Sequence, residues 1–241
     1  MSGNGNIAAC AFDLGNTLMN DVALTQASLA EMGNLLAGRG LVAFPEHFTE
    51  SYLKHYTQPM PAFTSRTFGE VQFFRDTFRE LGIQMAPEEA LALYRSIVAR
   101  RMDYAPGVRE AFEEVRRRGL LVSLLSNERT ARIDALLEHT ESRKLFDDVV
   151  VSEAVGAEKP DLSIFRIACE RLRIEPEGLL MFGDNDIADG ACKQLGARYV
   201  RVSAFYSKKW YWEAGSTYEP DFIVDAVAPE PVGSLLDSLG P

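Results

Sequence analysis

The sequence predicts an α/β protein: a parallel sheet with helices on both faces, plus a second, all-helical domain inserted after the first strand. Three observations predict it. Beyond residue 104, short apolar runs alternate with stretches of helical periodicity, and the connections are short. One further apolar run, Ile7 to Phe12, stands alone near the start. The intervening segment of about 80 residues carries only helical patterns.

Taken in order, Ile7 to Phe12 is apolar throughout and stops at Asp13, as a strand buried on both faces would. Val22 to Leu36, Glu46 to Tyr56, Gly69 to Leu81 and Glu88 to Arg101 are read as helices. Pro106-Gly107-Val108 opens the next one: proline suits a first turn, and Val108, Ala111, Phe112 and Val115 fall at helical spacing. Arg116 to Arg118 put cations at its C-terminal end, and Gly119 closes it. Leu120 to Leu125 is the second strand, ending at Ser126-Asn127. A helix over Thr130 to His139, a strand over Phe146 to Ser152 and a helix over Leu162 to Leu172 follow. Leu179 to Phe182 is a strand that stops at Gly183-Asp184, and Ala188 to Leu195 a helix closed by Gly196. Tyr199 to Val202 and Phe222 to Val224 are the last strands. The domains are therefore residues 1–19 with 105–241 for the α/β core, and 20–104 for the helical insertion. An insertion straight after an acid-tipped strand is expected over the C-terminal edge of the sheet, where open α/β sheets bind ligands.

Charge and cysteine usage narrow the function classes. A formal net charge of -10 argues against nucleic acid or an anionic membrane as the main partner. A small anionic substrate still fits if one local site is positive or holds a cation. Cys10, Cys169 and Cys192 lie in apolar contexts without metal-ligand spacing, which suits free thiols in a reducing compartment. The first residues lack a basic region and a long apolar stretch, and no run is long enough to span a bilayer. The expectation is a cytoplasmic protein, monomer or homodimer.

The chemistry gathers at strand ends. Asp13, Ser126-Asn127 and Asp184 each end a strand, and Lys159 lies in Glu158-Lys159-Pro160 just before a helix. In a parallel sheet these ends share one edge. Each alone has a plain reading: Asp13 as a turn former, Ser126-Asn127 as a helix cap, Lys159 as a solvated lysine, Gly183 to Asp189 as a polar turn. Together they supply what a carboxylate needs to attack phosphorus. A second carboxylate shares a cation, a hydroxyl binds one phosphoryl oxygen, and a lysine balances charge. Oxygen ligands of this kind suit Mg²⁺.

Four motifs in this order resemble the haloacid dehalogenase-like (HAD) hydrolase superfamily, in the branch with a helical, C1-type cap after the first strand. They are FDLGNTL (Phe12 to Leu18), LVSLLSN (Leu121 to Asn127), AEKPDLSIF (Ala157 to Phe165) and FGDNDIADGACKQLGAR (Phe182 to Arg198). The resemblance implies a Rossmann-like core with a helical-bundle cap, and a Mg²⁺-dependent phosphatase acting on a small phosphorylated metabolite. It implies that Asp13 is the nucleophile and forms an aspartyl-phosphate. Ser126 would bind the transferring phosphoryl group, with Asn16, Thr17 and Asn127 beside it. Lys159 would neutralise charge on Asp13 and the phosphoryl group. Asp13, the carbonyl of Gly15 and Asp184 would hold Mg²⁺, and Asp189 would support the lysine and the water shell of the metal.

Other activities of the superfamily differ at single positions. The haloacid dehalogenases proper carry an aromatic residue at the position of Gly15 and lack the acidic Gly-Asp loop, so Gly183-Asp184 favours phosphoryl chemistry over carbon–halogen displacement. Members that cleave phosphonates use a cap lysine, and the context of Lys54 in YLKHYT does not resemble theirs. Most phosphatases and phosphomutases of the family have an acid where Gly15 stands, and such proton transfer contributes roughly 10² to 10⁴ in rate. A phosphomutase is disfavoured on that ground, whereas a phosphatase with a good leaving group is not. A haloacid dehalogenase-type hydrolase, or a weakly catalytic binder of phosphorylated ligands, stands as the alternative. For substrate choice, His55, Tyr56, Arg66 and Arg75 are candidates in the helical domain. So is the loop Ser203 to Pro220, with Trp210, Trp212 and Lys208-Lys209, although these rings also suit packing or a dimer contact.

Overall fold

A computed structural model describes residues 6–57, 69–206 and 217–240. Arg66, Lys208, Lys209, Trp210 and Trp212 lie outside the described residues. The chain divides into two compact units. The described residues of one are 6–20, 103–206 and 217–240, and those of the other are 21–57 and 69–102.

The first unit is built on a six-stranded, all-parallel sheet. Its strands are β1 (Ala9–Phe12), β2 (Leu121–Ser126), β3 (Asp148–Val151), β4 (Leu179–Gly183), β5 (Arg198–Val202) and β6 (Phe222–Val224). Their order is β3-β2-β1-β4-β5-β6. The chain runs outward to β3 on one side of β1 and then returns to run outward to β6 on the other. β1 therefore lies at the topological switch, the position beside which open α/β sheets form their ligand crevice.

β1 is buried along its whole length, with an apolar contact on each face. Phe12 stacks on its ladder neighbour Phe182 with ring centroids 4.7 Å apart, and meets Phe112 of α5 (Val108–Arg117) at 5.0 Å. On the other face Ala9 and Ala11 share a cluster with Ile164, Phe165 and Ala168 of α8 (Leu162–Leu172). The small alanines let that helix lie close to the sheet, and the aromatic stack fills the opposite side. The expected sandwich of helices around a parallel sheet is thus present, and the three cysteines are buried free thiols within it.

Two elements differ from their sequence reading. Ala188 to Leu195 is not an α-helix: its regular part is a 3₁₀ turn over Gly190–Leu195. The preceding residues are instead held by side-chain caps, as described below. At the C-terminus α9 (Pro229–Leu239) completes the fold although its pattern was not singled out. Pro229 opens it, and Val232, Leu235 and Leu236 form its buried stripe.

The second unit contains α1 (Asp21–Gly38), α2 (Pro45–Tyr56), α3 (Glu70–Leu81) and α4 (Pro87–Arg101). Its core is aromatic: Phe48, Tyr52, Phe73, Phe74 and Phe78 are buried, and the Tyr52 and Phe74 rings lie 4.8 Å apart. Gly33 permits the close approach of α1 to the chain entering α2, because a Cβ there would sit 2.6 Å from the Pro45 carbonyl oxygen. Lys54 is exposed and ion-paired to Glu80 at 3.0 Å, and His55 contacts the same carboxylate at 3.0 Å. Arg75 reaches Glu88 at 3.5 Å, and Tyr56 packs on Phe73. Among the described residues no helix is long and apolar enough to cross a membrane.

Candidate active site

The C-terminal edge of the sheet gathers the strand-end groups. Asp13 follows β1 directly, and its N–H donates to the Phe182 carbonyl at 2.8 Å, extending the β1–β4 ladder by one residue. Leu14 is buried, and its carbonyl accepts from the N–H groups of Thr17, Leu18 and Met19 at 3.3, 2.9 and 3.3 Å. The turn this makes requires a left-handed residue. Asn16 takes that role with φ of 56°, which asparagine tolerates better than most side chains. Gly15 does not share that conformation. The Thr17 hydroxyl, buried, lies 3.4 Å from Asp13 Oδ2.

Lys159 stands at the centre of the cluster and is 2% exposed. Its Nζ donates to Asp13 Oδ1 at 2.7 Å, to Asp189 Oδ1 at 2.6 Å and to the Leu125 carbonyl at 3.0 Å. Three ammonium hydrogens thus meet three acceptors, so the desolvated cation is fully compensated. Asn127 fixes the backbone of this lysine. Its Nδ2 donates to the Lys159 carbonyl and its Oδ1 accepts the Lys159 N–H, both at 2.7 Å. The Ser126 hydroxyl, at the end of β2 and buried, makes no side-chain hydrogen bond to the described residues.

The loop after β4 is stitched by its own side chains. Asn185 Oδ1 accepts from the N–H groups of Ile187 and Ala188 at 2.9 and 3.0 Å, a local side-chain cap of the turn. Asp189 Oδ2 accepts from the Asn185 N–H at 3.0 Å, so both oxygens of this buried carboxylate are engaged. Gly183 is required beside it: a Cβ there would collide with the Asp189 carboxylate. Asp184 is buried, and a carboxylate oxygen from each of Asp13, Asp184 and Asp189 can be chosen so that all three lie within 4.8 Å of one another.

The electrostatics follow from crowding. Burial pushes the Asp189 carboxyl up to about 7; Lys159 opposes this and the charge of Asp13 adds to it. Burial alone would lower the pKa of Lys159, but the charges of Asp13 and Asp189 outweigh it and hold the ammonium above its ordinary value. Three carboxylates face one ammonium, and the donors are hard oxygens, so the residues present fit a small divalent cation.

The side chains singled out at the strand ends belong to this edge: Asp13, Asn16, Thr17, Ser126, Asn127, Lys159, Asp184 and Asp189; His55, Tyr56 and Arg75 belong to the helical unit. Three more were not recognised in that role. Asp186 receives Arg201 and Tyr199, which point from one face of β5. The available signal was the two-residue spacing of a tyrosine and an arginine on a predicted strand, which places them on one face.

This fold and this edge define a class, the haloacid dehalogenase-like hydrolases, and a model of that family matches residues 7–196. The chain belongs to that family and is an enzyme of the hydrolase class. Among its relatives is a phosphoserine phosphatase of Thermus thermophilus, 28% identical over 80% of this chain and 86% of that protein. Another is (S)-2-haloacid dehalogenase 4A of Burkholderia cepacia, 20% identical over 82% of this chain and 84% of that protein. The fold is shared with the magnesium-bound Bacillus subtilis protein YfnB, with a TM-score of 0.75 at 16% identity over 97% of this chain and 100% of that one.

Proposed function

We propose that the protein is a Mg²⁺-dependent phosphatase that hydrolyses a small phosphorylated metabolite through an aspartyl-phosphate on Asp13. The observation that carries this reading is the contact of Lys159 with both Asp13 and Asp189, with Asp184 in the same buried cluster. Asp13, the Gly15 carbonyl and Asp184 would hold the cation, whose charge lowers the repulsion between an attacking carboxylate and phosphoryl oxygens.

The residues of the chain then have distinct tasks. Lys159 orients Asp13, donating to its Oδ1 at 2.7 Å, and offsets negative charge beside it. Thr17 limits rotation of the same carboxylate from the Oδ2 side. Ser126 offers a hydroxyl to one phosphoryl oxygen, and Asn127 acts by fixing Lys159. The Asp13 carboxylate attacks phosphorus, the bond to the leaving oxygen breaks, and that oxygen takes a proton from water. A second water then attacks the acyl phosphate, releasing inorganic phosphate and restoring Asp13. The helical unit, inserted directly after the Asp13 turn, is the proposed cap and the source of substrate choice.

Dehalogenation would use the same nucleophile against carbon. The concentration of two further carboxylates, Asp184 and Asp189, around Asp13 favours the phosphoryl reading, because displacement of halide has no need of a cation. Phosphate release should be measured over a panel of phosphorylated metabolites with and without Mg²⁺, beside chloride release from 2-haloacids. The expected result is Mg²⁺-dependent phosphate release that Asp13→Asn reduces by at least about 10³-fold, as for loss of a covalent nucleophile. Chloride release independent of Mg²⁺ would overturn the reading.

A further inference from the structure

Asp186 lies in the acidic loop, but the proposed chemistry assigns it no part. It is nonetheless among the most heavily tethered side chains of the α/β unit. Arg201 Nε donates to its Oδ1 and Arg201 Nη2 to its Oδ2, both at 2.7 Å, which is the paired fork geometry that guanidinium offers a carboxylate. The Tyr199 hydroxyl donates to Oδ1 at 3.1 Å, and the Tyr206 hydroxyl lies 3.5 Å from Oδ2. The Arg201 guanidinium also stacks over the Tyr206 ring, 5.4 Å from its centroid. Even the Asp186 carbonyl is used, accepting the Tyr218 N–H at 3.0 Å.

The position of this anchor matters more than its strength. Asp186 is two residues after Asp184 and three before Asp189. Arg201 and Tyr199 come from β5, the strand hydrogen-bonded to β4, and Arg201 is the ladder partner of Gly183. The Tyr199 hydroxyl lies 3.4 Å from the Gly183 carbonyl as well as contacting Asp186. Asp189 is tied in the other direction, to Lys159. The loop carrying Asp184 is thus held at Asp186 and again at Asp189, and Asp184 lies between the end of β4 and the Asp186 anchor. Tyr199 is fully buried, and burial, with the nearby charges of Asp189, Asp186 and Asp184 adding to it, pushes its pKa up, so it remains a hydroxyl donor.

We propose that the Arg201–Asp186 fork, assisted by the Tyr199 hydroxyl, is a positioning device that holds the Asp184 carboxylate where it can ligate the cation. Asp186 and Arg201 are positioning residues and touch neither substrate nor the reacting atoms. This inference rests on the Mg²⁺-dependent reading. Arg201 also offsets the charge of Asp186, so a neutral replacement would add negative charge near the site and mask a loss of geometry. Arg201→Lys avoids this, because it keeps the charge and loses the fork.

Mg²⁺ binding should be measured by calorimetry on substrate-free wild type, Arg201→Lys, Tyr199→Phe and Asp186→Asn, with thermal midpoints recorded alongside. Partners that orient a metal ligand typically change affinity by about 10- to 100-fold when altered. Arg201→Lys is expected to weaken Mg²⁺ binding within that range, with kcat recovering at raised Mg²⁺. Arg201→Lys added to Asp186→Asn should cost much less than it does alone, because both changes break one coupling. If Arg201→Lys does not fold, Tyr199→Phe decides, and a several-fold loss of Mg²⁺ affinity is expected from its single hydroxyl. Unchanged Mg²⁺ affinity in the folded variants, with wild type binding normally, would overturn the positioning role alone. Wild type that binds no Mg²⁺ would overturn both this role and the phosphatase reading.

Discussion

Gly183 and Gly15 both border Asp13 or its partners, yet they constrain the site in opposite ways. At Gly183 the demand is for space: the buried Asp189 carboxylate occupies the volume a side chain would take, and both of its oxygens are pinned. Asp189 cannot swing away without breaking its bond to Lys159. Gly183→Ala is therefore expected to lower phosphatase activity by about 10²-fold, the scale of an ångström misplacement, and to cost about 1–3 kcal/mol of stability by overpacking. Steady-state kinetics and urea unfolding check the two effects separately. At Gly15 the backbone makes no such demand, because the left-handed position of the turn is Asn16. The backbone conformation there does not call for glycine, and on the proposed reading the lack of an acid leaves the departing oxygen to water. Turnover should therefore rise steeply as the leaving-group pKa falls, with aryl and acyl phosphates preferred over alkyl esters. Gly15→Asp should flatten that dependence by improving alkyl esters, by up to about 10²-fold at the lower end of general-acid effects. A flat profile in wild type would count against the reading.

Among the elements, α8 connects loop chemistry to packing. Asp161 caps its N-terminus: Oδ1 accepts the Ser163 N–H and hydroxyl, both at 2.8 Å. The same helix packs Ile164 and Phe165 under Ala9 and Ala11 of β1, and it begins three residues after Lys159. Asp161→Ala should cost about 1 kcal/mol of stability at neutral pH, the usual effect of losing a cap. The backbone bond to Ser163 holds the Asp161 carboxyl below its ordinary value, with the hydroxyl bond adding to this. The contribution is thus present above the unfolded carboxylate pKa and fades as pH falls through the lower folded one. Denaturation curves of wild type and Asp161→Ala should be separate at pH 7 and converge as pH drops below about 4. A gap that persists in acid would mean that the charge is not what the cap uses.

The legibility of these elements also varied for physical reasons. β1, β2 and β4 were plain because both of their faces are buried, which leaves an apolar run that only Ser123 interrupts before the strand ends. The stretch Ala188 to Leu195 misled because its apolar residues suit a helix, whereas its regular part is the tighter 3₁₀ turn over Gly190–Leu195. The gathering of Asp13, Lys159 and Asp184 was legible because each lies at a strand end or in a loop of one sheet edge. It was not legible where the partner came from another strand. Nothing local to Arg201 indicates that its target is the turn beyond β4, because that pairing depends on β4 and β5 being neighbours in the sheet.

At the scale of the whole molecule, the helical unit enters and leaves the chain at nearly one point of the α/β unit. The Ala105 N–H donates to the Leu18 carbonyl at 2.8 Å, so the segments flanking the insertion are hydrogen-bonded to each other. The six strands, the Asp13 turn, Lys159 and the acidic loop all belong to the α/β unit. The aromatic cluster of Phe48, Tyr52 and Phe74 belongs to the other, so each unit has its own core. Closing so small a gap requires only a few flexible residues, and the closure entropy of a short loop is modest. Replacing residues 21–102 by a short Gly/Ser linker is therefore expected to give a protein that unfolds cooperatively and keeps the far-UV signature of an α/β sheet. Such a protein should retain slow, Mg²⁺-dependent turnover of p-nitrophenyl phosphate, whose leaving group needs little help. Its discrimination among phosphorylated metabolites should fall sharply, because the proposed cap has been removed while the Asp13 loop is intact. If the shortened protein folds and discriminates as well as the full chain, substrate choice resides in the α/β unit, and the role assigned to the helical insertion is wrong.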